Sequence, residues 1–222
     1  MRLDPIDRLE AARYMGIKGA PDPQISAILE QCENLLINSV NPKYVYRSAA
    51  VSLSENGVQL DGLDVPLTGE DIRRHLEGCS TAVVLGATLT AEADKLIRRL
   101  SSVSASEGLA MDCLCSAAIE QVCNRAEEEI FADNNSFRTW RFSPGYGDLP
   151  IDLQPDILNF LNAQRRIGLT VNGSGMLVPS KSVTAIIGVS ETSRERGKRG
   201  CEICSMRGRC GLSRLGGCGK NK

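Results

Sequence analysis

The chain has 222 residues, enough for one large domain or two small ones, and its 42% hydrophobic and 24% charged residues exclude collagen-like and disordered classes. Its longest apolar runs, such as residues 183–189, fall far short of the roughly 20 residues that cross a bilayer, and Met1-Arg2-Leu3-Asp4 lacks the apolar run of a secretory signal. A cytoplasmic protein with no membrane partner is expected.

The net charge of −1 conceals a division. Residues 191–222 carry nine Lys or Arg against three Glu, a net +6, which leaves −7 on residues 1–190. Cysteine divides in the same way: Cys32, Cys79, Cys113, Cys115 and Cys123 are scattered, whereas Cys201, Cys204, Cys210 and Cys218 crowd the last 22 residues. The expected organisation is one domain over 1–190 followed by a basic, Cys-rich tail over 191–222.

Residues 5–40 read as helical, with Ile25, Ile28, Leu29, Cys32, Leu35 and Leu36 at three- and four-residue intervals forming one apolar stripe, and with Pro21 and Pro23 marking the start of a second helix. Tyr44, Tyr46, Val51, Leu53, Val58 and Leu60 lie in an extended stretch. The intervening Glu55-Asn56-Gly57 supplies a turn, because Asn-Gly tolerates positive φ, so this stretch reads as a hairpin. Thr68 is a candidate N-cap for a short helix carrying Ile72 and Leu76, and Thr81 to Gly86 has the content of a buried strand.

Two helices are predicted next, over 91–100 and about 106–130, the second with Leu109, Cys113, Ala117, Glu120 and Cys123 near one face. Residues 141–150 hold two Pro and two Gly and form an irregular loop. A helix over about 154–164 and a closing strand over 183–189 complete the series. The order lacks strict βα alternation. It points to an α+β fold, a mixed or antiparallel sheet flanked by helices, and not to a doubly wound sheet.

No dinucleotide fingerprint or Walker loop is present. Asn172-Gly173-Ser174-Gly175 reads as a turn between two strands. His75, the only histidine, lies in an amphipathic helix without a flanking ligand pattern, so no catalytic or metal role is assigned to it. Arg141, at the entrance to the Gly/Pro loop, offers a planar fork suited to a carboxylate; a solvated arginine beside a surface turn is the other reading.

Arg141-Phe-Ser-Pro144-Gly145-Tyr146 resembles the Arg-x-x-Pro-Gly-Tyr signature of the activation domain of cobalamin-dependent methionine synthase. Two further segments are similar to that family in the same order. One is Ser116-Ala117-Ala118-Ile119-Glu120 in the preceding helix, and the other is Gly168 to Asn172 followed by Met176-Leu-Val-Pro179-Ser180-Lys181-Ser182-Val183. The resemblance covers about half the chain. It implies that Arg141 holds the carboxylate of S-adenosylmethionine and Glu120 its ammonium. It also implies that Ser143, Pro144, Gly145 and Tyr146 position the methylsulfonium, with Tyr146 nearest the reaction. The fused enzymes add an N-terminal aspartate, which has no clear match among Asp4, Asp7 and Asp22. No corrinoid, homocysteine or folate domain is present. A stand-alone reactivation subunit is therefore expected, partnered by a corrinoid-binding methionine synthase chain that carries cobalamin and by a flavodoxin- or ferredoxin-like electron donor.

The spacing Cys201-x2-Cys204-x5-Cys210-x7-Cys218 supplies four thiolates among cationic side chains, which suits tetrahedral zinc or an iron–sulfur cluster. A Gly-rich flexible tail with incidental thiols is the alternative. A cluster here would relay the electron that reactivation needs, and that possibility carries a second reading: a redox module activating another corrinoid methyltransferase. A third is a regulatory protein that binds S-adenosylmethionine as a signal. Nucleic acid is not an expected partner, because the basic tail holds no aromatic residue to stack on bases.

Overall fold

Two carboxylates start the first helices. The side chain of Asp7 accepts from the Leu9 and Glu10 N–H groups at the head of α1 (Arg8–Tyr14), and that of Asp22 accepts from Ile25 N–H at the head of α2 (Pro23–Ser39). Pro23 occupies the first turn of α2, where its missing N–H costs nothing. The apolar stripe of α2 is buried through Leu29, Cys32 and Leu36. The computed structural model describes residues 1–55, 57–132 and 136–191.

The hairpin forms between β1 (Lys43–Ser54) and β2 (Gly57–Leu60), with Val51 opposite Leu60 and Ser54 opposite Gly57. Then follow α3 (Glu70–Leu76), β3 (Thr81–Thr88), α4 (Ala91–Ser101), α5 (Ala105–Ile130) and β4 (Phe137–Arg138). A 3-10 turn over Ile151–Leu153 leads to α6 (Gln154–Leu161), α7 (Ala163–Ile167), β5 (Thr170–Val171), β6 (Leu177–Val178) and β7 (Ser182–Ser190). The main sheet has the order β2-β1-β3-β7-β4, and each pairing is antiparallel. The Asn172 to Gly175 turn joins β5 to β6 in a separate two-stranded sheet, as expected.

Helices cover both faces of this sheet, and that explains the unbroken apolar runs of β3 and β7. On one face α1, α2, α4 and α5 enclose a cluster that includes Leu29, Leu36, Leu96, Met111 and Leu114. On the other, α3, α6 and α7 close over Val84 and Ile186 with Ile72, Leu76, Ile157 and Leu161. At roughly 1.5–3 kcal/mol for each large side chain fully buried, these two layers are the main favourable contribution to folding.

The structure corrects three local readings. The N-cap of α3 is Gly69, not Thr68, and no local side chain caps the helix. The predicted helix over 154–164 breaks at Asn162, whose left-handed φ of 51° ends α6 and starts α7 in a new direction. Leu109 is 49% exposed, because the buried surface of α5 is not a single stripe: its middle is wrapped by α1, α2 and α4 on one side and by the sheet on the other. Among the described residues no helix is long and apolar enough to cross a membrane. The Cys201, Cys204, Cys210 and Cys218 series, with nearly all of the basic tail, lies outside the described residues.

Candidate functional site

Arg141 is aimed by a change of register along the sheet edge. Arg138 lies opposite Val189, whereas Phe142 lies opposite Ile186, so the edge segment carries one residue more than β7 over this interval. Such a bulge reverses the alternation of faces. Phe142 accordingly joins the cluster beneath α3 and α6, while Arg138 stacks its guanidinium 4.7 Å from the ring centroid of Phe131, just after α5. Arg141, next to Phe142 in the chain, points back towards α5.

There it meets three acceptors on one helical face. Its Nη2 donates to Glu120 Oε2 at 2.8 Å and to Asn124 Oδ1 at 3.0 Å, and its Nη1 donates to Glu127 Oε1. These three stand four and three residues apart on α5, the spacing that brings side chains onto a common stripe. Burial works against the guanidinium's charge, yet the Glu120 and Glu127 carboxylates around it raise its pKa above the ordinary value, so it stays cationic. The Arg141 side chain is 20% exposed and that of Glu120 50%, so the pair opens to solvent on the glutamate side.

The loop that follows is a compact turn. Tyr146 N–H donates to the Ser143 carbonyl at 3.0 Å, Leu149 N–H to the Tyr146 carbonyl at 3.0 Å, and Gly145 N–H to the Leu149 carbonyl at 2.8 Å. Gly145 has φ of 89°, a conformation few other residues adopt. Pro144 and Leu149 are buried, and Tyr146 is left 54% exposed with its ring 6.2 Å from that of Phe142.

The missing cap of α3 comes from this same loop. The Asp148 carboxylate accepts from Glu70 N–H at 2.7 Å and from Asp71 N–H at 3.1 Å, at the positive end of the helix. Gly69 allows this approach, since a Cβ there would stand 2.5 Å from Asp148 Oδ1. One carboxylate thus caps a helix and fastens the Tyr146 turn. Asp148→Ala is expected to cost about 1–2 kcal/mol, the range for a lost cap, and to lower the melting temperature by about 3–6 °C. Asp148→Asn should retain part of this stability. Equal melting of wild type and Asp148→Ala would show that the cap contributes nothing.

A cleft of about 410 Å³ adjoins Glu120 on the other side. It is lined by Tyr14, Asp112, Ser116, Ile119, Glu120 and the segment 180–182, with Cys113 behind. Lys181 donates to Ser116 Oγ at 2.9 Å and pairs with Asp112 at 2.9 Å. Ser180 is held to Asp94 through its N–H at 3.0 Å and its hydroxyl at 2.6 Å. The segment between β6 and β7 is thereby tied to both α4 and α5.

Of the residues singled out in the sequence, Glu120 and Arg141 are in direct contact, and Ser143, Pro144, Gly145 and Tyr146 form the turn beside them. Asn124, Glu127 and Asp148 emerge only from the structure, and so do the contacts of Lys181, which the sequence showed as part of the resembling segment 176–183. For Asn124 and Glu127 the signal in the sequence was the row of polar residues at three- and four-residue intervals on α5, Asp112, Ser116, Glu120, Asn124 and Glu127. The three N-terminal aspartates are engaged elsewhere: Asp7 and Asp22 cap helices, and Asp4 pairs with Arg125. Burial pushes the thiol of Cys113 up to about 11 and those of Cys115 and Cys123 up to about 12, so all three are protonated at neutral pH. Among the described residues no group of three or more His, Cys, Asp or Glu is placed to hold a metal ion.

No family model matches the sequence, and no curated protein does. Among solved structures, the crystal structure of the MetH reactivation domain bound to AdoHcy superimposes with a TM-score of 0.61 at 12% identity, covering 95% of this chain and 83% of that one. This likeness extends over nearly the whole chain at an identity too low for sequence comparison. The protein therefore has the α+β fold of the MetH reactivation domain.

Proposed function

We propose that this protein binds S-adenosylmethionine beside the Arg141 loop and serves as a reactivation subunit for a cobalamin-dependent methionine synthase whose corrinoid-binding chain is a separate partner. The observation that carries this reading is the Arg141–Glu120 pair at 2.8 Å beside an Arg-x-x-Pro-Gly-Tyr turn, on a fold shared with a domain that binds AdoHcy. A zwitterionic amino-acid end fits between these two groups. Its carboxylate takes the place of Glu120 on the guanidinium and its ammonium takes the freed Glu120, so one charge-assisted contact is exchanged for two.

The backbone from Ser143 to Gly145 and the ring of Tyr146 then hold the sulfonium methyl group at the solvent-facing edge, where a bulky corrinoid carried by a partner can reach it. In this reading one electron from a flavodoxin- or ferredoxin-like donor would reduce the partner's cob(II)alamin to cob(I)alamin, which would take the methyl group as a cation and leave S-adenosylhomocysteine. The contribution of this chain is positioning, the chemistry residing in the two reactants. Residues 1–190 act as the binding domain in this reading, and residues 191–222 as an appendage to it. Cys201, Cys204, Cys210 and Cys218 favour a second version, in which the tail holds zinc or an iron–sulfur cluster and the protein activates another corrinoid methyltransferase.

The test is calorimetric titration with S-adenosylmethionine, followed by single-turnover methylation of a supplied corrinoid domain under a chemical reductant. Saturable binding and appearance of the methylcobalamin spectrum are expected; binding without methyl transfer to any corrinoid partner would overturn the reactivation role. Tyr146→Phe should slow methyl transfer about tenfold, the effect of one hydrogen bond lost at the reacting end, while leaving S-adenosylmethionine affinity unchanged. Loss of affinity with an intact rate would make Tyr146 a binding residue only.

A further inference from the structure

Arg141 reaches α5 because the edge segment pairs with β7 out of regular step. Counting on from Arg138 opposite Val189, an unbroken antiparallel ladder would set Thr139 against Gly188, Trp140 against Ile187 and Arg141 against Ile186. Phe142 holds that last place instead. Successive strand residues alternate between faces, so the regular register would turn Arg141 into the apolar cluster of Ile72, Leu76 and Ile186 and turn Phe142 out of it. A slip of one residue decides whether the guanidinium meets Glu120 or a hydrophobic layer.

The extra residue enters at Thr139. Residues facing each other in a regular hydrogen-bonded pair exchange two backbone bonds. Thr139 N–H donates to the Gly188 carbonyl at 3.0 Å, but the return bond from Gly188 N–H goes to Thr139 Oγ1 at 2.8 Å instead of to the Thr139 carbonyl. The side chain thus stands in for the backbone, and the next peptide is free to leave the ladder. His75, in the last turn of α3, fixes the hydroxyl from the far side, sharing a hydrogen bond of 2.8 Å through Nε2. Gly188 leaves the room this needs: a Cβ there would stand 3.2 Å from Thr139 Cγ2 and 2.6 Å from Cys79 Sγ. Trp140 is gathered into the same cluster, its ring 4.9 Å from that of His75 and 5.1 Å from that of Phe142.

We propose that the Thr139 hydroxyl, backed by His75, is the register lock of the binding loop: a positioning residue that keeps the edge segment bulged and Arg141 turned towards α5. Its effect on the methyl donor passes through Arg141 alone. This rests on the donor's amino-acid end lying at Arg141, whereas the register itself is measurable without any donor.

Thr139→Val keeps the shape of the side chain and removes the oxygen, so Gly188 N–H loses its acceptor in the bulged register and would regain one, the backbone carbonyl, in the regular register. Thr139→Ser keeps the oxygen and serves as the rescue. Both are titrated with S-adenosylmethionine, with circular dichroism confirming the fold. Thr139→Val is expected to bind about tenfold more weakly than wild type, and Thr139→Ser within about twofold of it. Trp140, the only tryptophan in the chain, reads the register directly. The regular ladder would carry it opposite Ile187, towards Phe131 and away from His75 and Phe142, so its emission should shift in Thr139→Val and not in Thr139→Ser.

If Thr139→Val keeps the affinity of wild type, with or without a shift in emission, the positioning role is wrong and the proposed function stands. Equal weakening by Thr139→Ser would show that the site needs the methyl group and not the oxygen, and would overturn the lock. If wild type does not bind S-adenosylmethionine while emission still separates Thr139→Val from Thr139→Ser, the lock holds and the proposed function fails.

Discussion

Arg141→Ala is expected to lower the affinity for S-adenosylmethionine by one to two orders of magnitude, the range for a charge-assisted hydrogen-bonded pair worth about 1.5–3 kcal/mol. The same guanidinium also links the edge segment to α5 through Glu120, Asn124 and Glu127, so its removal leaves Glu127, with a side chain only 22% exposed, facing no cation at this contact. A loss of affinity could therefore arise from a loosened loop. Arg141→Gln separates the two effects, because its amide can still donate to α5 and keep the loop in place while lacking the charge and the fork that match a carboxylate. Both variants should bind the donor weakly, and Arg141→Gln should melt closer to wild type. If affinity instead follows melting temperature across wild type, Arg141→Gln and Arg141→Ala, the arginine is a structural pin and the loop is not the binding site.

How much of this was legible in the sequence depends on how far apart in the chain the interacting groups lie. The strands β3 and β7 announce themselves because burial on both faces permits nothing but small and apolar residues, and α2 does so because one face meets solvent and one meets the core. The irregular 141–150 loop is equally plain, since Pro and Gly act locally. The cap of α3 is not, because its carboxylate arrives from Asp148, 78 residues downstream, and Thr68 was the only local candidate. The bulge that turns Arg141 towards α5 depends on pairing with β7, which lies more than 40 residues further on. The Lys181–Ser116 contact spans 65 residues and was equally hidden, although Ser116 and Glu120 were singled out as one stretch of helix. In each case the residue type was visible and its partner was not. The site is made of long-range contacts laid on elements whose local identity the sequence states clearly.

His75 connects stability to pH beside this site. It is buried in the last turn of α3, shares a hydrogen bond of 2.8 Å with Thr139 Oγ1, and packs its ring 4.9 Å from Trp140 and 5.0 Å from Phe142, the two neighbours of Arg141. Burial lowers its pKa from 6.5 to about 4, against the opposing pull of hydrogen bonds with the Ile186 and Trp140 backbone. The neutral imidazole is therefore the folded form at neutral pH. The unfolded chain gains a proton as pH falls below 6.5, while the folded chain gains it only near 4, so the contribution is complete above 6.5 and is lost between those values. At full extent it amounts to about 3 kcal/mol, or roughly 6–10 °C in melting temperature for a protein of this size. His75→Gln keeps a polar contact to Thr139 without titrating in this window, so the melting difference between it and wild type should narrow as pH drops from 7 to 4.5, whatever the exposed carboxylates do in both proteins. Trp140, the only tryptophan in the chain, gives an independent reading, since an imidazolium forming beside its ring quenches its fluorescence. A quenching midpoint near 4 in wild type, absent from His75→Gln, is expected; a midpoint at 6.5 would show that the ring is solvated and that the aromatic cluster beneath Arg141 is open.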